Sequence, residues 1–356
     1  MTSFIHNWLR SDIQAISAYH VPKAQEMIKL DAMESPFVLG DELLQRYLQH
    51  LAEQPINRYP DPSADKVLAP LRALMGIEDE FGVLLGNGSD ELIQLLALAC
   101  RPGDTILSVE PSFVMYEMIA KFTHLNYQGV ALNEDFELDV EAFLAAIEAH
   151  QPKLIFIAYP NNPTGNSFKR ADIERIIESA GDALVVLDEA YYAYADDSFL
   201  ADVARYENLV VLRTVSKIGF AGLRLGLMVG NQVTVDELNK LRLPYNINML
   251  TQAAAEFLLD QREMIACNAK VIRDERTQLF EALSNFSVLQ VYPSQANFIL
   301  FRASDAPALF EALKQNGILI KNLSQAPGLS NCLRVTVGAP KENLAFIKVL
   351  EAHYGE

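Results

Sequence analysis

Between about residues 80 and 230, short apolar runs alternate with stretches of helical periodicity. The runs 105–109 (T-I-L-S-V), 154–159 (L-I-F-I-A-Y), 183–187 (A-L-V-V-L), 209–213 (L-V-V-L-R) and 225–229 (L-G-L-M-V) read as strands. They are nearly continuous in apolar character, as strands covered on both faces must be. Helical patterns at 89–100, 139–150 and 170–180 lie between them. Such alternation predicts an α/β fold, a mostly parallel sheet sandwiched by helices.

The C-terminal third has a different rhythm. A long helical pattern at 248–285 precedes strands at 296–301, 317–321 and 332–337, with helices at 305–316 and 340–353. This predicts a smaller α+β domain. The division expected is an N-terminal arm at 1–40, a large domain at 41–245 and a small domain at 246–356. The arm, interrupted by Pro22 and Pro36, is expected to pack on the small domain or on a partner subunit.

Charge narrows the function classes. With 29 Lys+Arg against 46 Asp+Glu, the net charge is −17. An acidic surface of this kind disfavours nucleic acid and anionic membranes as partners. It leaves room for a small anion in a cleft where a few cations and helix dipoles dominate. Half the residues are hydrophobic, which fits a packed core and not a disordered chain. No window reaches the ~20 apolar residues of a membrane span. The N-terminus lacks the pattern of a signal peptide, so a cytoplasmic location is expected. Cys100, Cys267 and Cys332 are scattered, as in a reduced compartment. The six histidines have no ligand spacing, so no metal site is expected.

Ligands of open α/β sheets bind beyond the carboxyl ends of the strands. Strand 154–159 runs into P-N-N-P-T-G at 160–165, strand 183–187 into Asp188, and strand 209–213 into T-V-S-K ending at Lys217. Taken singly, N-P-T-G makes a turn, Asp188 caps a helix and Lys217 is a solvated amine. Together they deliver an amide, a carboxylate and an amine to one sheet edge. G-N-G-S-D-E at 86–91 adds a glycine-led helix start, suited to an anion or to an ordinary cap. A-G-L-R-L-G at 221–226 adds Arg224, whose guanidinium fork matches phosphate. An amine, a carboxylate and a phosphate cradle suggest pyridoxal 5′-phosphate. The amine would bond to the cofactor's aldehyde carbon, and the carboxylate would keep the pyridine nitrogen protonated.

On these residues the chain resembles aminotransferases of the pyridoxal-phosphate-dependent aspartate aminotransferase superfamily. Within it, the chain resembles the histidinol-phosphate aminotransferases. The likeness runs in order through R-Y-P-D-P (58–62), G-N-G-S-D-E, P-S-F-V-M-Y (111–116), P-N-N-P-T-G, D-E-A-Y (188–191), T-V-S-K, A-G-L-R-L-G and L-R-V-T-V-G (333–338). It implies that Lys217 carries the cofactor and that Asp188 pairs with the pyridine nitrogen. Asn162 and Tyr191 would hydrogen-bond the phenolic oxygen, and Tyr116 would stack on the ring. Gly88, Ser89 and Asp90 would form the phosphate-binding helix start, completed by Ser216 and Arg224. Tyr59 would reach the phosphate in a neighbouring subunit, which makes the expected active unit a homodimer with shared sites.

The same resemblance implies the reaction. Arg334 would grip the substrate phosphate of L-histidinol phosphate, then the carboxylate of glutamate or 2-oxoglutarate. Tyr19 would lie near the substrate phosphate. Lys321 stands where the family has a second arginine, and Met33-Glu34-Ser35-Pro36 stands for its N-E-N-P pattern. Both departures lie on the substrate side. An aromatic amino-acid aminotransferase or a threonine-phosphate decarboxylase on this scaffold are the alternatives.

Overall fold

The computed structural model describes residues 4–18 and 26–355, so Tyr19 lies outside the described residues. Within these, the strands are β1 (Ile28–Leu30), β2 (Gly82–Gly86), β3 (Thr105–Glu110), β4 (Asn126–Ala131), β5 (Leu154–Ala158) and β6 (Leu184–Asp188). They continue as β7 (Leu209–Thr214), β8 (Gly226–Gly230), β9 (Leu289–Val291), β10 (Phe298–Ala303), β11 (Ile318–Asn322) and β12 (Cys332–Thr336). Seven of them form one sheet in the order β2-β8-β7-β6-β5-β3-β4. All pairs from β7 to β4 are parallel, and β8 alone runs against its two neighbours, β7 and β2. β5 through β8 are buried nearly end to end, which explains their unbroken apolar runs.

The order of strands makes the functional edge. β7 leaves the sheet at Thr214, and β8 re-enters at Gly226 directly opposite it. The 215–225 excursion therefore returns to its starting edge, holding Lys217 and Arg224 there. At that edge Asp188, the last residue of β6, sits opposite Ala158 at the end of β5. β2 also ends there, with Gly86 paired to Gly226. The sheet thus brings five chain segments to one rim.

A buried ion pair fixes part of that rim. Arg213 on β7 donates to Glu189, just past β6, through Nε at 3.0 Å and Nη2 at 2.8 Å. Its Nη1 donates to the Met75 carbonyl at 2.8 Å, and the Phe199 amide donates to Glu189 at 2.7 Å. A buried pair satisfied this fully is tolerated where a half-satisfied one is not.

The second sheet has the order β1-β11-β12-β10-β9, antiparallel except where β1 joins β11. The helix Pro340–Tyr354 covers it, with Phe346 and Leu350 fully buried in the same core. Tyr191 and Tyr194 of the large sheet's rim pack into this core, and Tyr194 Oη donates to the Lys217 carbonyl at 2.5 Å. Through β1, residues 28–30 of the expected arm become part of the small sheet.

Several elements differ from their sequence-based expectation. β4 was not expected; it is a half-exposed edge strand (N-Y-Q-G-V-A) without a clear apolar run. β1 and β9 are three residues each and were too short to stand out. The 248–285 pattern is two helices, Met249–Leu258 and Arg262–Ser284. The first is capped by the Asn248 side chain, which accepts from the Thr251 amide at 2.9 Å. Its Ala254, Ala255 and Leu258 join the large core, beyond the expected boundary at 245/246.

Candidate active site

The rim encloses a cavity lined by Ser89, Asp188, Tyr191, Ser216, Lys217 and Arg224, with Asp90 and Asn162 also in its wall. These residues come from five separate chain segments, all expected from sequence. At one end, the helix Ser89–Leu98 begins at Gly88, whose φ is +83°. A glycine N-cap has no side chain to occupy the first helical amides, so they remain available to an anion. The approach is close on both sides. A Cβ on Gly88 would fall 2.5 Å from Arg224 Nη2, and one on Gly226 would fall 2.5 Å from the Ser89 nitrogen. Only glycine lets the helix start, β8 and the guanidinium meet.

Arg224 Nη2 donates to Asp90 at 3.1 Å, and Nη1 approaches Ser216 Oγ at 3.5 Å. Ser216 Oγ also accepts from Thr214 Oγ1 at 2.9 Å. The Asp90 carboxylate therefore orients the guanidinium.

Lys217 and Asp188 share the wall of the cavity. The Lys217 amine lies 5.9 Å from the Tyr191 ring centre and 3.4 Å from the Ala32 carbonyl. Burial lowers its pKa to about 8; the positive charges of Arg334 and Arg224 act the same way, while Glu34 and Asp90 oppose them. Asp188 is shifted the other way. Burial raises its carboxyl to about 6, against the hydrogen bonds from Tyr116 and the Ala190 amide and the charge of Lys217. These opposed shifts place a neutral amine and an ionised carboxylate within one accessible pH range. Above pH 6 Asp188 loses its proton, and above pH 8 so does Lys217. Covalent capture of pyridoxal phosphate by the apoprotein is thus expected to accelerate from pH 6 to 9 with a midpoint near 8. Stopped-flow absorbance would read it. A rate still climbing through pH 10, as for an ordinary lysine, would contradict the shifted amine.

These residues fit a flat ring bearing an aldehyde, a ring nitrogen and a phosphate. The helix start with Ser216 and Arg224 suits the phosphate, Asp188 the nitrogen and Lys217 the aldehyde.

A second cavity shares Met33, Phe113 and Asn162 with the first and adds Lys321 and Arg334. Arg334 on β12 and Lys321 on β11 are register partners. Arg334 is only 6% exposed. It donates to Asn162 Oδ1 and, at 3.1 Å, to the Asp31 carbonyl, and its guanidinium lies 5.1 Å from the Phe298 ring centre. Burial and the neighbouring Arg334 lower the Lys321 pKa. Two cations thus line a cavity that shares Met33, Phe113 and Asn162 with the one holding Lys217 and Asp188.

Two expected residues are placed otherwise. Tyr116 does not line the cavity. Its ring is wholly buried, stacked on Phe156 at 4.8 Å between centres, and its hydroxyl donates to Asp188 Oδ2 at 2.9 Å. The aromatic that lines both cavities is Phe113. The P-S-F-V-M-Y segment holds both rings, and the helix start at Met115 turns the second one inward. Tyr59 is 78% exposed and stacks on Tyr245 at 4.6 Å, away from its own chain's cavity. The sequence reading missed Phe113; Met33, named there as a substrate-side departure, lines both cavities and has a φ of +53°.

Residues 25–350 match the family described as aminotransferase class I and II, and the chain belongs to it. It is 63% identical over 352 residues to the histidinol-phosphate aminotransferase of Vesicomyosocius okutanii subsp. Calyptogena okutanii (strain HA), covering 99% of both chains. It is 49% identical to histidinol-phosphate aminotransferase 2 of Nitrosococcus oceani, covering 98% of each. In fold it is similar to the crystal structure of histidinol-phosphate aminotransferase from Sinorhizobium meliloti in complex with pyridoxal-5′-phosphate. That match has a TM-score of 0.85 at 23% identity, over 99% of both chains. Among the described residues, no helix is long and apolar enough to cross a membrane.

Proposed function

We propose that this protein is a pyridoxal-phosphate-dependent transaminase of histidine biosynthesis. It moves the amino group of L-histidinol phosphate to 2-oxoglutarate, giving imidazole acetol phosphate and L-glutamate. The observation that carries this reading is the continuity of two cationic regions. The phosphate cradle at 88–90 with Arg224 serves the cofactor, and the Arg334–Lys321 pair serves the substrate anion. The 63% identity to a protein of that name supports it.

When bound, pyridoxal phosphate supplies an electron-accepting ring that takes up the electron pair of the substrate Cα–H bond. The protein's residues do the rest. Gly88 and Ser89 amides, Ser216 and Arg224 hold the cofactor phosphate. Asp188, ionised, holds the proton on the ring nitrogen. Asn162 and Tyr191 hydrogen-bond the ring oxygen, and Phe113 covers the ring. Lys217 Nζ would take the proton from the substrate Cα and return it to the cofactor side; for this it must be neutral part of the time. Its lowered pKa suits that task. Arg334, with Lys321 beside it, holds phosphate in the first half-reaction and carboxylate in the second. Arg334 also donates to Asn162, so substrate and cofactor contacts are mechanically joined.

The active unit is a homodimer in the cytoplasm, in which Tyr59 of each chain reaches the other chain's cofactor phosphate. Exposed Ile56, Tyr59, Leu243 and Leu250 support an apolar contact face. The two sheets act as separate domains with the substrate between them, and the helix Met249–Leu258 belongs to the large one.

A donor screen tests the substrate. kcat/KM for L-histidinol phosphate is expected to exceed that for phenylalanine or tyrosine by at least about a hundredfold, since two cations would face an absent phosphate. Equal or better turnover of aromatic amino acids, or carbon dioxide release from threonine phosphate, would overturn this assignment.

A further inference from the structure

Asp188 is held from behind, by a residue that never enters the cavity. Tyr116 Oη donates to Asp188 Oδ2 at 2.9 Å, and the Ala190 amide donates to Oδ1 at 3.2 Å. The Tyr116 ring cannot move to accommodate a different carboxylate pose. It is stacked on Phe156 at 15° between planes and meets the edge of Phe113 at 5.6 Å. Both Tyr116 and Phe156 are fully buried.

We propose that Tyr116 is a positioning residue: its buried hydroxyl fixes the carboxylate of Asp188, in orientation and in charge, for the nitrogen of the cofactor ring. It acts through Asp188 alone. The proposal rests on the cofactor reading above and is independent of which amine is the substrate.

The physical argument has two parts. A carboxylate oxygen in a dry setting needs a donor, and losing one costs more there than in water. Tyr116 is that donor for Oδ2, held at a fixed point by ring packing. The second part is charge. Burial and the nearby Asp90, on the helix Ser89–Leu98, favour the protonated acid, while Tyr116, the Ala190 amide and Lys217 favour the ionised one. Tyr191 also lies near, its own phenol pushed up by burial. The Tyr116 phenol is pushed well above its ordinary value, first by burial and then by Asp188, so it keeps its proton and remains a donor. An ionised Asp188 is what a protonated ring nitrogen requires.

Tyr116→Phe keeps the ring and its stacking and removes only the hydroxyl. Pyridoxal phosphate affinity, read by equilibrium dialysis, is expected to fall about tenfold, as for a hydrogen bond to a charged group. The acid limb of the binding-versus-pH curve is expected to move to higher pH, because Asp188 without its donor is harder to ionise. In an Asp188→Asn background the same change should have much less effect on binding, since the carboxylate it serves is gone. A merely structural role would instead lower the unfolding temperature of the apoprotein and leave affinity and acid limb unmoved; that result would overturn the proposal. Equal losses in the two backgrounds would overturn it as well. A wild-type protein that takes up no pyridoxal phosphate would overturn the cofactor reading and this one with it. A binding wild type with an unaffected variant would overturn only the role of Tyr116.

Discussion

Lys217→Ala is expected to cut kcat by at least about a thousandfold and to abolish covalent capture of pyridoxal phosphate. The reason is positional. Lys217 is the amine held in the cavity opposite Asp188, in a loop that must leave and rejoin the sheet at Thr214 and Gly226. Tyr194 grips the carbonyl of Lys217 itself, which fixes the backbone from which the amine extends. The phosphate cradle, Asp188 and Phe113 are untouched by the substitution. Pyridoxal phosphate should therefore still bind reversibly, with the absorption of the free aldehyde. Measuring single-turnover rate and cofactor absorbance together separates lost chemistry from lost binding. Retained turnover would remove Lys217 from the mechanism.

The second large effect belongs to Arg334. Replacing it by glutamine is expected to lower kcat/KM for L-histidinol phosphate and for 2-oxoglutarate alike, by about a hundredfold or roughly 3 kcal/mol each. The loss should be common to both because both anions use the same guanidinium in turn. A second consequence has a definite sign. The charge of Arg334 helps lower the Lys217 pKa, so its removal should raise that pKa and displace the rising, acid-side limb of the pH–rate profile to higher pH. Steady-state kinetics from pH 6 to 10 would show both. A loss confined to one substrate would mean that Lys321 or another group holds the other anion.

Much of this site was legible in the sequence, for a physical reason. Strands covered on both faces are continuous apolar runs, so the polar residue that ends each run stands out. Asp188 and Lys217 were visible in that way, with Arg224 seven residues beyond the lysine. The edge strand Asn126–Ala131 was not, because half-exposed positions leave no such contrast. The break at residues 259–261 was hidden because neither glycine nor proline marks it. Phe113, and not the expected Tyr116, lines the cavity, and the two lie three apart across a helix start. Which ring faces the cavity depends on where that helix begins and on the space beside Asp188, a tertiary fact. The contribution of β1 to the small sheet, which sets Asp31 and Ala32 beside Arg334 and Lys217, also depends on chain paths that local pattern does not encode.

The most direct test of the central claim is a half-reaction on the purified holoenzyme, followed by absorbance. L-histidinol phosphate alone should bleach the visible band of the lysine-bound cofactor, one equivalent of donor per site. Adding 2-oxoglutarate should restore the band with release of one equivalent of L-glutamate. A band that L-histidinol phosphate leaves unchanged, while a non-phosphorylated amino acid discharges it, would contradict the account.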